Sequence, residues 1–528
     1  MAAPGPFRGS FHLVVALLLV GSLGHGVVQA LPRPLLPTLA APANKACRPL
    51  DVHLALTGDP TSLQVSWRTA KSGCPCSLKF WRLDENDMPL DAPPSSNELV
   101  GSTSSYSNKD MCSSPARDIV YDPLWLHSVT LTGLEPGALY RYKIKSGSSI
   151  IFRAPPAPAP SAALKFIAFG DMGESEHRVA KSPGASDTMA ALAHELRTWD
   201  LQLVYHIGDL AYANGRATTG AGAAARTARP DASGALRPYD PDWGNYGNDS
   251  GGECGVAAAM RFQMPGDSAE ASRWARNAHW NATGACGNPS LERRAGAVPS
   301  PACDMSGAET PSAETPGAAA AAAAGVAGLM PVDDAEKSIT SNPASRLASD
   351  DLSSPEPANP PFWYGFSVGP ARFVTLSTEH DFTPGSRQHR WLRRELRSVD
   401  RCRTPWLIVG MHRPMYVVFP HKSNRVVGAH LRRVLEPLFN RYEVDLVLSG
   451  HVHSYSRSCN VLGDACLPPA EGGATHVTAG TGGRKLSFVS ADQFEWVEHS
   501  EERWGYVRAD IQPGGSLDLE FVSSESEL

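Results

Sequence analysis

From residue 48 to residue 155, apolar and polar positions alternate in short runs. "SLQVSWRTA" sets the pattern, with Leu63, Val65 and Trp67 on one face. "HSVTLTGLEPGALYRYKIKSG" gives two more alternating strands around the turn "EPG", and Tyr140 and Tyr142 follow that turn. Several short strands over about a hundred residues predict a small β-sandwich. "APPAPAPSAA", residues 154–163, is a Pro-rich boundary. Beyond it the pattern changes to continuous apolar runs, "LKFIAFGD", "LQLVYHIGD", "RFVTLS", "PWLIVGMH" and "VDLVLSGH". Such runs belong to strands covered on both faces. Helical spacing occurs at 187–197, where Met189, Leu192, Ala193 and Leu196 align, and again at 387–396 and 426–439. Strand and helix in alternation predict an α/β layered core.

Three stretches fall outside this pattern. Residues 1–30 read as a secretory signal: Arg8 precedes the apolar "FHLVVALLLVGSLG", and "VQA" ends in the small Ala30. A membrane anchor is the rival reading, but the run is short and broken by glycine. Residues 31–46 are a Pro- and Ala-rich linker, and 304–360, with a run of seven alanines, is a low-complexity insert. The expected division is therefore a β-sandwich over 47–155 and a second domain over 156–528, in keeping with a length of 528 residues.

Composition adds two constraints. A formal net charge of −6 speaks against a nucleic-acid partner, which calls for a basic face. Export would make the ten cysteines candidates for disulfides. Cys459 and Cys466 can close a small loop, whereas Cys74 and Cys76 are too close to pair and call for distant partners such as Cys47 or Cys112. The sequons at Asn248 and Asn281 fit the same compartment.

The chemistry gathers where strands end. The first buried strand runs into Gly170-Asp171, and the second into Gly208-Asp209 with Tyr212 three residues on. A later strand ends in His412, and the last in His451 and His453. Ligands of open α/β sheets bind outside the carboxyl ends of strands, so these residues should meet at one rim. Singly each has an ordinary reading: an Asp there is often a helix cap, and a His or Tyr can be packing. Together they would be poor core material, because each must be desolvated. A centre of multivalent cations removes that difficulty, and neutral imidazole is a common metal ligand.

"GDMG", "GDLAY", "GMH" and "GHVH" resemble four of the five motif blocks of the purple acid phosphatases. "SGGECGV", "FQMPG", "STEHDF", "HRPMY", "AGTGG" and "GYVR" extend the likeness over most of the chain. The resemblance implies a four-layer α/β/β/α metallophosphoesterase domain behind a fibronectin III-like domain, whose corner a tyrosine pins. It implies that Asp171, Tyr212 and His453 hold Fe(III), that Asp209 bridges, and that His412 and His451 hold a divalent Fe, Zn or Mn. Hard oxygen donors suit the trivalent ion and imidazole the divalent one. Two cations would acidify a water for in-line attack on phosphorus. His421, nine residues after His412, would be the general acid or phosphate clamp, with Lys422 adding charge.

One block departs from the family. No Asn-His dipeptide occurs in the chain, so the Gly-Asn-His-Glu block is missing. With it go an amide ligand of the second metal and a phosphate-binding histidine. Asn245 sits in a stretch resembling the segment downstream of that block and is a poor replacement. The leading expectation is a secreted or vacuolar acid phosphatase acting on small phosphate monoesters, off the membrane once its signal is cleaved, with a homodimer allowed. The rivals are a metal-binding pseudoenzyme and a neutral phosphodiesterase on a divalent pair, which would have no use for Tyr212.

Overall fold

The computed structural model describes residues 45–84, 88–90, 98–110, 117–118, 124–145, 147–173, 182–209, 362–419, 422–489, 494–513 and 515–525, together with Met264 and Ala358. The expected signal, the low-complexity insert apart from Ala358, Cys112, both sequons and Asn245 lie outside these residues.

Among the described residues, eight strands form the N-terminal β-sandwich: β1 (Leu50–Leu56), β2 (Leu63–Thr69), β3 (Ser77–Arg82), β4 (Glu98–Val100), β5 (Ser102–Tyr106), β6 (Leu124–Leu131), β7 (Leu139–Ile144) and β8 (Ser149–Arg153). They pair as two four-stranded sheets, β1-β2-β6-β5 and β4-β3-β7-β8. Leu63, Val65 and Trp67 are buried together, as their alternation requires. At the turn before β7 the Glu135 backbone N–H donates to the Tyr140 hydroxyl at 2.9 Å, which pins the corner. Cys47 is joined to Cys74 and Cys459 to Cys466, while Cys76 is a free thiol.

The C-terminal α/β domain holds two further sheets. The smaller has the order β10 (Leu203–His206), β9 (Leu164–Phe169), β19 (Gly505–Ile511), β20 (Leu517–Ser523), with β9 and β10 parallel. The larger contains β11 (Tyr364–Val368), β12 (Ala371–Leu376), β13 (Trp406–Met411), β14 (Leu446–Ser449), β15 (Tyr455–Leu462), β16 (Ala465–Cys466), β17 (Ala474–Ala479) and β18 (Val497–Glu501). In it, β12, β13, β14 and β17 run parallel in that spatial order.

Successive side chains of these strands bury against different layers, so most of their positions are apolar. On β9, Phe166 and Ala168 join the core between the sheets, while Ile167 and Phe169 pack with Leu192 of α1 (Ala185–Thr198). On β14, Leu446 and Leu448 face that inner core, and Val447 packs with residues of α2 (Arg387–Arg397) and α3 (Lys422–Arg441). The result is helix, sheet, sheet, helix. Full burial of one such Leu or Phe stabilises by about 1.5–3 kcal/mol. Ser386 starts α2 by accepting from the His389 N–H at 3.1 Å.

A candidate dinuclear metal centre

Four strand ends from both sheets converge. The chain leaves β9 through Gly170 and Asp171, β10 through Ile207, Gly208 and Asp209, β13 through His412, and β14 through Gly450 and His451. Backbone bonds lace these exits together. Asp171 N–H donates to Gly208 O at 3.2 Å, and Gly450 N–H donates to His412 O at 2.9 Å. Two glycines are required by space alone. A Cβ on Gly208, whose φ is +103°, would lie 2.7 Å from His412 Nδ1, and one on Gly450 would lie 2.5 Å from Asp171 Oδ2. Three functional residues occupy left-handed backbone without being glycine: Asp171 (φ 60°), Asp209 (φ 49°) and His451 (φ 66°). Such strain is typical of sites whose side chains must be aimed.

Asp171 is fully buried. Its Oδ2 accepts from the His451 backbone N–H at 2.7 Å, and its Oδ1 lies 3.3 Å from His453 Nε2. Asp209 Oδ2 is 3.5 Å from His412 Nε2. Potential ligand atoms of Asp171, Asp209 and His412 all lie within 4.8 Å of one another. His412 and His451 stack edge to face with centroids 5.2 Å apart. The second ring nitrogens of two histidines are already committed. His412 Nδ1 donates to Ile207 O at 3.1 Å, and His453 Nδ1 donates to Lys485 O at 2.8 Å. Each ring therefore presents Nε2 toward the carboxylates, the arrangement that metal-ligating histidines adopt.

The electrostatics show how strongly the carboxylates call for positive charge. Burial disfavours a charged His412, yet Asp209 and Asp171 push it up to about 10. Burial likewise opposes a charged His453, and its bond to Asp171 raises it nonetheless. Asp171 resists the upward push of its own burial because His412 and His453 hold it down. His451 goes the other way, held well below its ordinary value by burial, Arg413 and His412. It stays neutral and keeps a lone pair.

Five of the seven residues singled out from the sequence thus come together: Asp171, Asp209, His412, His451 and His453. Tyr212 and His421 lie outside the described residues. The sequence reading gave no role to Arg413, Glu379 or Asn424. Arg413 Nε donates to Glu379 Oε1 at 2.6 Å, Nη2 donates to Oε2 at 3.3 Å, and Nη1 donates to His451 Nε2 at 3.1 Å. Asn424 Oδ1 stands 3.4 Å from the same Nε2. The available signal was local, since Arg413 follows His412 directly and Glu379 sits in "STEHDF".

Residues 49–158 match the family "Purple acid Phosphatase, N-terminal domain", and residues 360–455 match "Calcineurin-like phosphoesterase". An Arabidopsis thaliana protein named probable inactive purple acid phosphatase 27 is 26% identical over 465 residues, covering 80% of this chain. This chain spans 60% of that relative's length. A Hordeum vulgare protein named nucleotide pyrophosphatase/phosphodiesterase is 26% identical over 404 residues, 71% of this chain and 83% of its own. The solved structure of a purple acid phosphatase from yellow lupin seeds superposes with a TM-score of 0.58 at 21% identity, covering 91% of this chain and 73% of its own.

Proposed function

The chain belongs to the purple acid phosphatase family, and from that premise we propose that it hydrolyses phosphate monoesters under acidic conditions at a centre of Fe(III) and a divalent Fe, Zn or Mn. A dinuclear centre is what the metallophosphoesterase family implies. The observation that carries the reading is the meeting of Asp171, Asp209 and His412 within 4.8 Å, with His453 3.3 Å from Asp171.

The donors fit the metals. Ligand atoms on one ion with bonds of about 2.0–2.1 Å stand about 3.3 Å apart, close to the 3.3 Å of His453–Asp171 and the 3.5 Å of His412–Asp209. Asp171 and His453, with Tyr212, would hold the first ion, Asp209 would bridge, and His412 and His451 would hold the second. When bound, the pair supplies an acidified water and neutralises charge on the transferring phosphoryl group. The chain's own residues do the rest. Ile207 O and Lys485 O aim two imidazoles, Asp171 braces the His451 backbone, and His421 would deliver a proton to the leaving oxygen. Among the described residues no helix is long and apolar enough to cross a membrane. The signal-like N-terminus read from the sequence supports a secreted or vacuolar protein that meets small phosphorylated substrates in solution.

A second reading has its own support. The missing Gly-Asn-His-Glu block, and a relative named as inactive, favour a metal-binding protein without turnover. A third, a diesterase acting near neutrality, draws on the name of the barley relative. One experiment separates them: metals counted per chain, a visible spectrum, and turnover of an aryl phosphate and a bis-aryl phosphate over roughly pH 4 to 8. Two metals, a charge-transfer band and acidic monoester turnover support the proposal. Metal with no turnover at any pH selects the second reading, and neutral diester turnover without a band selects the third.

A further inference from the structure

Arg413 stands inside the centre, and the family resemblance assigns it nothing. Its side chain is 12% exposed and held on two edges. Nε and Nη2 are spent on the two oxygens of Glu379, and the backbone N–H donates to Thr378 Oγ1 at 3.2 Å. The two bonds to Glu379 anchor the guanidinium, and the third anchors the backbone that carries it. The remaining nitrogen, Nη1, donates to His451 Nε2 at 3.1 Å. A guanidinium is always protonated and can only donate. His451 therefore meets it with the Nε2 lone pair, the same lone pair that a metal ligated by His451 would need.

A second side chain meets the same nitrogen. Asn424 lies in the first turn of α3, and its Oδ1 approaches His451 Nε2 to 3.4 Å. The carboxamide oxygen can only accept, so it bonds this nitrogen only in the Nε2–H tautomer, which Arg413's donation to the same atom rules out; Asn424 Oδ1 therefore adds no donor that would fill the lone pair. The sequence, meanwhile, lacks the block that gives the family its amide ligand at the second metal. The sequence thus lacks the family's amide ligand for this half of the centre, and a cation stands beside its histidine.

We propose that Arg413 competes with the second metal for His451, so that the chain holds one ion firmly at Asp171, Asp209 and His453 and admits the second only by displacing the guanidinium. The inference rests on the metal-binding reading above. A divalent ion ligated by Nε2 would sit about 2.0–2.1 Å from it, in the space between Nε2 and Nη1, which a fixed guanidinium cannot share. Charge repulsion acts in the same direction.

The test is a Zn(II) titration of the metal-stripped full chain, followed by calorimetry and by native mass spectrometry for stoichiometry. The wild type should take one equivalent tightly and a second at least about tenfold more weakly, the scale on which partners of ligand histidines act. Arg413→Met should tighten the second equivalent by about tenfold or more and change the first by less than about threefold. Arg413→Met/Glu379→Gln removes both charges together and should do the same, covering the case in which a lone Glu379 disturbs folding. Adding His451→Ala should abolish the gain. An unchanged or weaker second equivalent in both Arg413 variants overturns the inference and leaves the functional reading standing. If no variant binds any Zn(II), both fall.

Discussion

Asp171 and His451 are joined across 280 positions of sequence by one bond, from the His451 backbone N–H to Asp171 Oδ2 at 2.7 Å. The smaller sheet and the larger sheet are thus tied at the rim where the ligands gather. The same carboxylate faces His453 with its other oxygen, so one buried side chain both positions a histidine loop and offers itself to a cation.

Asp171→Asn keeps the shape and removes the charge. Metal affinity should fall by at least about 100-fold, since even outer partners of ligands are worth 10–100-fold. Elemental analysis after dialysis would report it. Retention of wild-type metal content would remove Asp171 from the ligand set.

Tyr212→Phe is expected to abolish the visible charge-transfer band of the iron-loaded protein while leaving folding intact. The measurement is an absorption spectrum beside a far-UV circular dichroism trace. An undiminished band would mean that Tyr212 does not bind iron.

Tyr140→Phe tests the sandwich alone. It deletes the acceptor of the Glu135 N–H and should lower stability by about 1 kcal/mol. Urea unfolding followed by tryptophan fluorescence would measure this. Zn(II) stoichiometry should not change, because the bond lies in the other domain.

Stability should decline in acid even where the proposed chemistry runs. Burial pushes His389 down to about 4 and His476 down to about 3 from an ordinary value of 6.5. The unfolded chain therefore binds protons first as pH falls. The stability these neutral rings contribute is complete above about 6.5 and is lost on descent towards the folded values, by at most about 1.4 kcal/mol per pH unit for each. Urea midpoints of the metal-stripped protein near pH 7.5 and pH 5 should differ, and His476→Gln should narrow the gap. A gap that His476→Gln leaves unchanged would show that this ring is not held neutral, whatever the opposing contribution of His412 and His453.

The strands of the α/β domain were legible because burial on both faces leaves an unbroken apolar signature, as in "LKFIAF" and "VDLVLS". The convergence of Asp171, Asp209, His412 and His451 followed from their places after such strands. Partition between sheets was not legible. Phe169 and Met411 end equally apolar strands, and only hydrogen-bond register puts them in different sheets. Spacing also left Cys47 and Cys112 as equal candidates to pair with Cys74 or Cys76, and geometry selects Cys47 with Cys74. Arg413 and Glu379, 34 positions apart, pair through space, and a charge pair of that separation has no periodicity to betray it.

The left-handed backbone at Asp171, Asp209 and His451 bears on how this protein changes under selection. Glycine would sit at any of the three with less strain, a relief on the order of 1 kcal/mol or more each. At Asp171 that relief would be set against the loss of the bond that ties His451 to the smaller sheet. Aspartate and histidine at these three positions place ligand atoms at the expense of backbone comfort, so relaxing any one of them exchanges site geometry for ease of folding.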